Sequence, residues 1–296
     1  MQYRMKLVLV TLAVFVLSGC FPSNDLTRQE YLMQGKTMGT TYNIKVVGEN
    51  IDTVKLQQGI DDKLKQLNQE MSTYIKDSEL SRFNQSTSLE PISVSTGLAR
   101  VVKEAIRLGA LTQGALDVTV GPLVNLWGFG PEYRPETVPS DEVLASTRAR
   151  VGLQKLHLND RQLSKTIPNL YIDLSTTAKG YGVDVVAELI EANGITNYLV
   201  EIGGEMRLRG FKHTGELWAI AIEKPIFDPT GEQRAIQQVI IPNDNAVATS
   251  GDYRNYFEAD GQRFSHIIDP ATGKPITHNL VSVTVIAPSS MTADGL

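Results

Sequence analysis

The sequence predicts an α+β domain. Amphipathic helices come early and strands come late, and the two never alternate as regular β-α units would. Thr40–Val47 is β-branched and partly alternating, which predicts a first strand. Leu56, Ile60, Leu64, Leu67 and Met71 then recur every three or four residues, so they share one helix face, with Asp52 or Thr53 available as its cap. Leu98, Val101, Val102, Ala105 and Leu108 mark a second amphipathic helix, and Gly109 and Gly114 crowd its end. Gly121–Pro139 is rich in Gly, Pro and aromatic residues and reads as an irregular segment. Ser140 before Asp141 and Glu142 starts a short third helix.

Leu170–Leu174 is predicted as a short strand, and Ala178–Ala192 as a fourth helix with Gly194 past its end. Strands follow at Tyr198–Ile202, Leu217–Glu223, Gln237–Ile241, Tyr253–Glu258, Arg263–Ile268 and Val281–Ala287. Asp260-Gly261 marks a hairpin between two of them. Pro288-Ser289-Ser290 then opens another helix, of which only a first turn follows. A lone turn has nothing to propagate into, so a truncated C-terminus is expected.

Composition excludes several function classes. Apolar residues make up 42% and charged residues 21%, which is globular rather than disordered composition. With 28 Lys+Arg against 33 Asp+Glu, the net charge of −5 argues against a nucleic-acid binder, which would need a basic face to meet phosphates. A single cysteine rules out an internal disulfide framework and any multi-cysteine metal site.

That cysteine has a particular place. Arg4 and Lys6 precede the apolar run Leu7–Leu17, which is too short for a permanent membrane span and fits a secretory signal. The run ends in Leu17-Ser18-Gly19-Cys20, which looks like a bacterial lipoprotein processing box. The expectation is a signal peptide over residues 1–19, a tether lipidated at Cys20 over residues 20–34, and one domain over residues 35–296. The folded part would then sit on the periplasmic side of a bacterial membrane, the inner favoured over the outer, held by acyl chains.

Four segments carry residues suited to chemistry. In Tyr171–Asp184 (YIDLSTTAKGYGVD) a carboxylate and small hydroxyls precede Lys179-Gly180 at a helix start. Such a start offers free N–H groups to a phosphate, and Gly180 would let a ligand approach. Taken alone, a capped helix with a surface lysine explains it as well. Val200–Gly204 (VEIGG) reads first as a turn or bulge. Ser265–Pro275 places His266 and Asp269 near a strand end, where a histidine beside a carboxylate can serve as a base or be merely structural. In Met291–Leu296, Asp294 reads as a helix cap before it reads as a ligand for a hard cation. Trp127, Phe129 and Tyr133 suit a flat ring but equally suit a core. No serine-hydrolase elbow, phosphate-binding GxxxxGK[ST] loop or zinc-spaced cluster is present.

The order of the segments is more telling than any one of them. KTMGT, STY, GALDVTVGPLVNLWGFGP, DLSTTAKGYGVD, VEIGGE, ATSGDYRNY, HIIDPATGKPI and VSVTVIAPSSMTADGL follow one another from about Gly35 to the last residue. This succession closely resembles the ApbE family of FAD:protein FMN transferases. The resemblance implies an ApbE-like, T-fold-like single globular domain of mixed or antiparallel sheet and packed helices. It implies that a Thr or Ser hydroxyl of an acceptor protein attacks the FMN-side phosphorus of FAD, that AMP leaves, and that Mg²⁺ assists.

Carried over motif by motif, Met38, Tyr74, Ala115, Leu116, Asp117, Ser175, Tyr181 and Ile268 are implied to contact FAD. The Ala178 carbonyl and the Asp294 carboxylate are implied as metal ligands, and His266 as the base, by analogy. The implied acceptors are extracytoplasmic flavoprotein subunits, such as those of Rnf-type or sodium-pumping NADH:quinone oxidoreductase complexes.

Two departures stand out. DLSTTAKGYG replaces the commoner DLGGIAKGYA, and the family's metal-binding Thr would fall past Leu296. Two further readings of the same chemistry are a Mg²⁺-dependent FAD pyrophosphatase releasing FMN and AMP, and a non-catalytic FAD-binding lipoprotein.

Overall fold

A computed structural model describes residues 28–131, 137–226, 235–252, 256–259 and 261–296. The signal segment, Cys20, Tyr133, Tyr253 and Asp260 lie outside the described residues. The chain is α+β, as its pattern predicts.

A hairpin opens the fold: β1 (Gln29–Thr37) pairs antiparallel with β2 (Thr40–Gly48). Residues 29–34, expected as tether, are therefore strand; Tyr31 and Met33 pair with Val46 and Ile44. Helix α1 (Thr53–Met71) follows, and its Asp52 cap accepts from Lys55 N at 3.0 Å. Its five buried residues are the five of the predicted stripe. Next come α2 (Glu79–Gln85), β3 (Ile92–Ser93) and α3 (Thr96–Leu111), the last capped by Ser95.

The Gly- and Pro-rich segment is not wholly irregular. It holds a short helix, α4 (Gly121–Leu126), because Pro122 in the first turn loses no needed N–H there. Helix α5 (Asp141–Arg148) starts at Ser140 as expected. Strands β4 (Leu156–Asn159) and β5 (Gln162–Lys165) join β3 in a small antiparallel sheet of order β3-β5-β4.

Leu170–Leu174 is not a strand. Its alternate residues Leu170, Ile172 and Leu174 are buried, which is the pattern that suggested one. Its backbone bonds go elsewhere. Ile172 N donates to Asn84 Oδ1 at 2.8 Å, Asn84 Nδ2 donates to the Ile172 carbonyl at 2.9 Å, and Asp173 N donates to the Val118 carbonyl at 2.8 Å.

Helix α6 (Ser175–Ala192) starts three residues before the expected Ala178, so Lys179 and Gly180 lie in its second turn rather than at its start. Strand β6 (Asn197–Ile202) then turns directly into β7 (Glu205–Arg209) through Gly203 and Gly204, at φ 60° and 104°. Positive φ at both turn residues matches the twist of a two-residue hairpin, and glycine adopts it without strain. The remaining elements are β8 (Ile220–Glu223), β9 (Ile236–Ile240), β10 (Ala246–Gly251), β11 (Tyr256–Ala259), β12 (Gln262–Ser265), β13 (Ser282–Ala287) and a closing helix, α7 (Ser290–Gly295).

The main sheet is antiparallel throughout, in the order β1-β2-β6-β7-β10-β13. Helices α1 and α6 cover one face, where Tyr42, Ile44, Val46, Tyr198, Val200 and Ile202 meet Ile60, Leu64, Val183 and Val186. Each such aliphatic burial contributes about 1.5–3 kcal/mol. A second apolar core joins α3 to the small sheet and to the Leu170–Leu174 segment. A third, aromatic group gathers Trp127, Phe129, Phe257 and Phe264 where α4 meets the β11–β12 hairpin. No helix among the described residues is long and apolar enough to cross a membrane.

Candidate active site

The first two turns of α6 form the hub of the site. At their start, the Asp173 carboxylate accepts from both the backbone N–H and the hydroxyl of Ser175, at 2.9 and 2.5 Å. Tyr74 stands beside this pair, largely exposed on the turn after α1. Partial burial and then the charge of Asp173 raise its phenol above the ordinary range.

One turn further on, Tyr181 is buried, which raises its phenol pKa. The Arg100 guanidinium lies 5.3 Å from its ring centroid. Met38 sits at the tip of the β1–β2 hairpin with φ 49°, and its methyl reaches over Gly182. A Cβ on Gly182 would come within 3.2 Å of that methyl.

Ala115, Leu116 and Asp117 follow α3. Leu116 is buried against the core, whereas the Asp117 carboxylate serves its own loop. It accepts from Thr119 N at 2.8 Å, from the Thr119 hydroxyl at 2.6 Å and from Leu153 N at 3.2 Å.

Helix α7 closes the hub from the other side. Gly180 takes the role its place in the motif suggested for a ligand, but the close approach is made by protein: a Cβ there would lie 2.3 Å from the Ser290 carbonyl oxygen. The carboxylate that anchors α7 is Asp184, fully buried on α6. It accepts from Ser290 N, Met291 N and the Ser289 hydroxyl, each at 2.9 Å, and pairs with Arg207 Nη1 at 3.1 Å. A buried carboxylate with four donors at a helix N-terminus is a satisfied charge.

Asp294 is thereby freed from the capping role that its place in a first turn suggested; Ser289 and Asp184 do that work. Instead Asp294 lies back across α6 and accepts from Gly180 N at 2.9 Å. Burial, reinforced by the charge of Glu205, pushes its carboxyl up to about 8, against the pull of Lys179. Lys179 in turn donates to Glu205 Oε1 at 2.7 Å. Burial works against the Lys179 ammonium, yet the two carboxylates hold its pKa above the ordinary lysine value. Burial likewise raises the Glu205 carboxyl, partly offset by Lys179.

Ala178 thus stands two residues before Gly180, to which Asp294 is hydrogen-bonded. Their carbonyl and carboxylate are hard oxygen donors, the kind that suits a small divalent cation completing its shell with water and phosphate. Among the described residues no group of three or more His, Cys, Asp and Glu is arranged to hold a metal by itself.

His266 and Ile268 belong to the aromatic group. Ile268 is buried within it and bridges to Pro275, and the His266 ring meets Phe129 edge-on with centroids 6.2 Å apart. The structure therefore gathers Met38, Tyr74, Ser175, Ala178, Tyr181 and Asp294 around α6, with Leu116 and Asp117 beneath. Sequence reasoning missed Asp184, Glu205 and the ion pair with Lys179. Asp184 closes the motif already singled out, but three of its four partners lie more than a hundred residues away, in α7 and its cap.

This arrangement has known counterparts. The family model described as "ApbE family" matches residues 38–296. The chain belongs to the ApbE family. A Vibrio cholerae serotype O1 protein named "FAD:protein FMN transferase" is 58% identical over 291 residues, spanning 97% of this chain and 85% of that protein. A Haemophilus influenzae protein of the same name is 55% identical, spanning 89% of this chain and 78% of its own length. The solved structure described as "Flavin Transferase ApbE from Vibrio cholerae" superposes with a TM-score of 0.83 at 57% identity, covering 90% of this chain and 85% of that one. The ApbE fold thus extends over the hub and the aromatic group alike.

Proposed function

We propose that this ApbE protein transfers FMN from FAD to a Thr or Ser hydroxyl of an acceptor flavoprotein. The observation that carries the reading is the return of Asp294 onto the second turn of α6, where it accepts from Gly180 N, two residues after Ala178. These oxygens would hold Mg²⁺. When bound, the ion would neutralise diphosphate charge and polarise the phosphoryl oxygens.

The protein's own groups do the rest. Tyr74, Tyr181 and Met38 flank the flavin, and Ser175 orients against Asp173 at its edge. The acceptor oxygen bonds to the FMN-side phosphorus, the bond from that phosphorus to the bridging oxygen breaks, and AMP leaves with the bridging oxygen. His266 takes the hydroxyl proton. The product is a phosphoester.

Lipidation at Cys20 would hold the enzyme on the periplasmic side of the membrane. There it meets acceptor subunits of the Rnf-type or sodium-pumping NADH:quinone oxidoreductase kind.

The test mixes the protein with FAD, Mg²⁺ and a candidate acceptor domain, and reads the acceptor's intact mass and in-gel flavin fluorescence. A gain of one FMN is expected, abolished by EDTA and by Asp294→Ala. Transfer that survives Asp294→Ala would sink the cation-ligand assignment. Free FMN and AMP without acceptor labelling would mean a pyrophosphatase, and intact bound FAD a binding protein.

A further inference from the structure

Glu205 is a buried charged side chain of the hub whose bonding is half complete. It stands at the first position of β7, directly after the Gly203-Gly204 turn, paired with Ile202 across the hairpin and pointing inward, 4% exposed. Its Oε1 accepts from Lys179 at 2.7 Å. Its Oε2 is buried and has no hydrogen-bond partner. A buried carboxylate oxygen without a donor costs about 1–3 kcal/mol or more, so a fold retains one where something donates to it in the working state. Lys179, which holds the other oxygen, sits between Ala178, the implied carbonyl ligand, and Gly180, whose N–H donates to Asp294. Glu205 therefore reaches the same stretch of α6 from the sheet that Asp294 reaches from α7.

We propose that Glu205 is a further member of the cation site, its Oε2 accepting a hydrogen bond from a water on the bound divalent ion while Lys179 holds its Oε1. The proposal rests on the reading of Asp294 as a cation ligand. Mg²⁺ keeps several waters and binds through one or two carboxylates, so a buried acceptor for one of those waters fits its chemistry. The same geometry gives Lys179 a counter-role. Its ammonium is the internal positive charge of the hub, and it competes with the ion for the same two carboxylates.

The charges make opposite predictions for the two partners, which a merely structural ion pair does not. Mn²⁺ serves as the probe, with free ion read by electron paramagnetic resonance and Mg²⁺ by competition, on the purified full-length chain without FAD. Glu205→Gln is expected to weaken Mn²⁺ binding about 10–100-fold, the usual loss for an outer partner of a metal site. Lys179→Gln is expected to tighten it severalfold, and Asp294→Asn to abolish it.

Parent-like Mn²⁺ affinity in Glu205→Gln overturns the proposal. So does Lys179→Gln weakening binding as much as Glu205→Gln, since that marks the pair as a structural clasp. Retention of binding in Asp294→Asn would instead remove the reading beneath it. Should Glu205→Gln fail to fold, judged by its thermal melt, Lys179→Gln decides alone: tighter binding supports the proposal, and unchanged or weaker binding overturns it.

Discussion

The corner where α6, α7 and β7 meet and the group where α4 meets the β11–β12 hairpin hold their functional candidates by opposite means. The first is organised by charge. Asp184 gathers four donors, Asp294 takes the Gly180 N–H, and Lys179 spans to Glu205. The second is organised by rings. Trp127 stacks on Phe264 at 5.6 Å, Phe257 stacks on Phe264 at 5.0 Å, and Phe129 and His266 meet in a T-shaped pair. The lesson is one of tolerance. A charge network fixes a position to within a hydrogen bond and fails when one member is lost, whereas ring packing holds shape and yields by degrees.

Removing the centre of the charge network breaks that contrast most severely. Asp184→Ala leaves Arg207 only its longer pair with Glu191 at 3.5 Å and α7 only its Ser289 cap, and should cost about 3–5 kcal/mol in urea denaturation, with loss of cation binding. A cost under 1 kcal/mol would mean that α7 is held by packing, like the aromatic group.

A second, smaller effect concerns acid. The folded-state pKa of Asp294 lies near 8 against an ordinary 3.8, so the folded protein binds the proton more tightly than the unfolded chain does. Its contribution is therefore complete at low pH and is lost as pH rises toward 8. In EDTA, the Tm should fall by about a few degrees between pH 5 and pH 8, and Mg²⁺ should restore it at pH 8. Asp294→Asn should flatten the profile; a profile unchanged by that variant would separate Asp294 from the titration.

The smallest effect belongs to the aromatic group. Trp127→Phe keeps the ring but loses the bond from Nε1 to the Gly273 carbonyl, 2.8 Å long, and should cost about 1 kcal/mol with cation affinity unchanged. A change in Mn²⁺ affinity would show the two regions to be coupled.

Legibility from sequence followed the same division. Where side-chain pattern and local backbone agree, the reading held. The α1 stripe, the Ser140 and Asp52 caps and the turn at Gly203-Gly204 all depend on neighbours within a few residues. Leu170–Leu174 has a strand's alternation but finds its partners in an asparagine side chain and a distant carbonyl, which no local pattern encodes. The sequence predicts Lys179-Gly180 at a helix start, after a run of small hydroxyl residues. In the fold those residues are themselves helical. Gly180 announced a close approach correctly but not what approaches. Asp184 and Glu205 carry no local signal: one is a charge amid helical apolar residues, the other the first residue after a turn. Their roles exist only across the sheet and across α7.

The bond from Gly180 to Asp294 joins residues 114 positions apart. The hub therefore has no precursor in any short stretch of the chain, and α6 formed alone would present a helix with no acid facing it. Closing so long a loop comes late in folding, because its entropy is lost before the contact can reward it. A chain that has folded only its first hairpin and helices would therefore lack the proposed cation site. Competence would arrive in one step, when α7 docks.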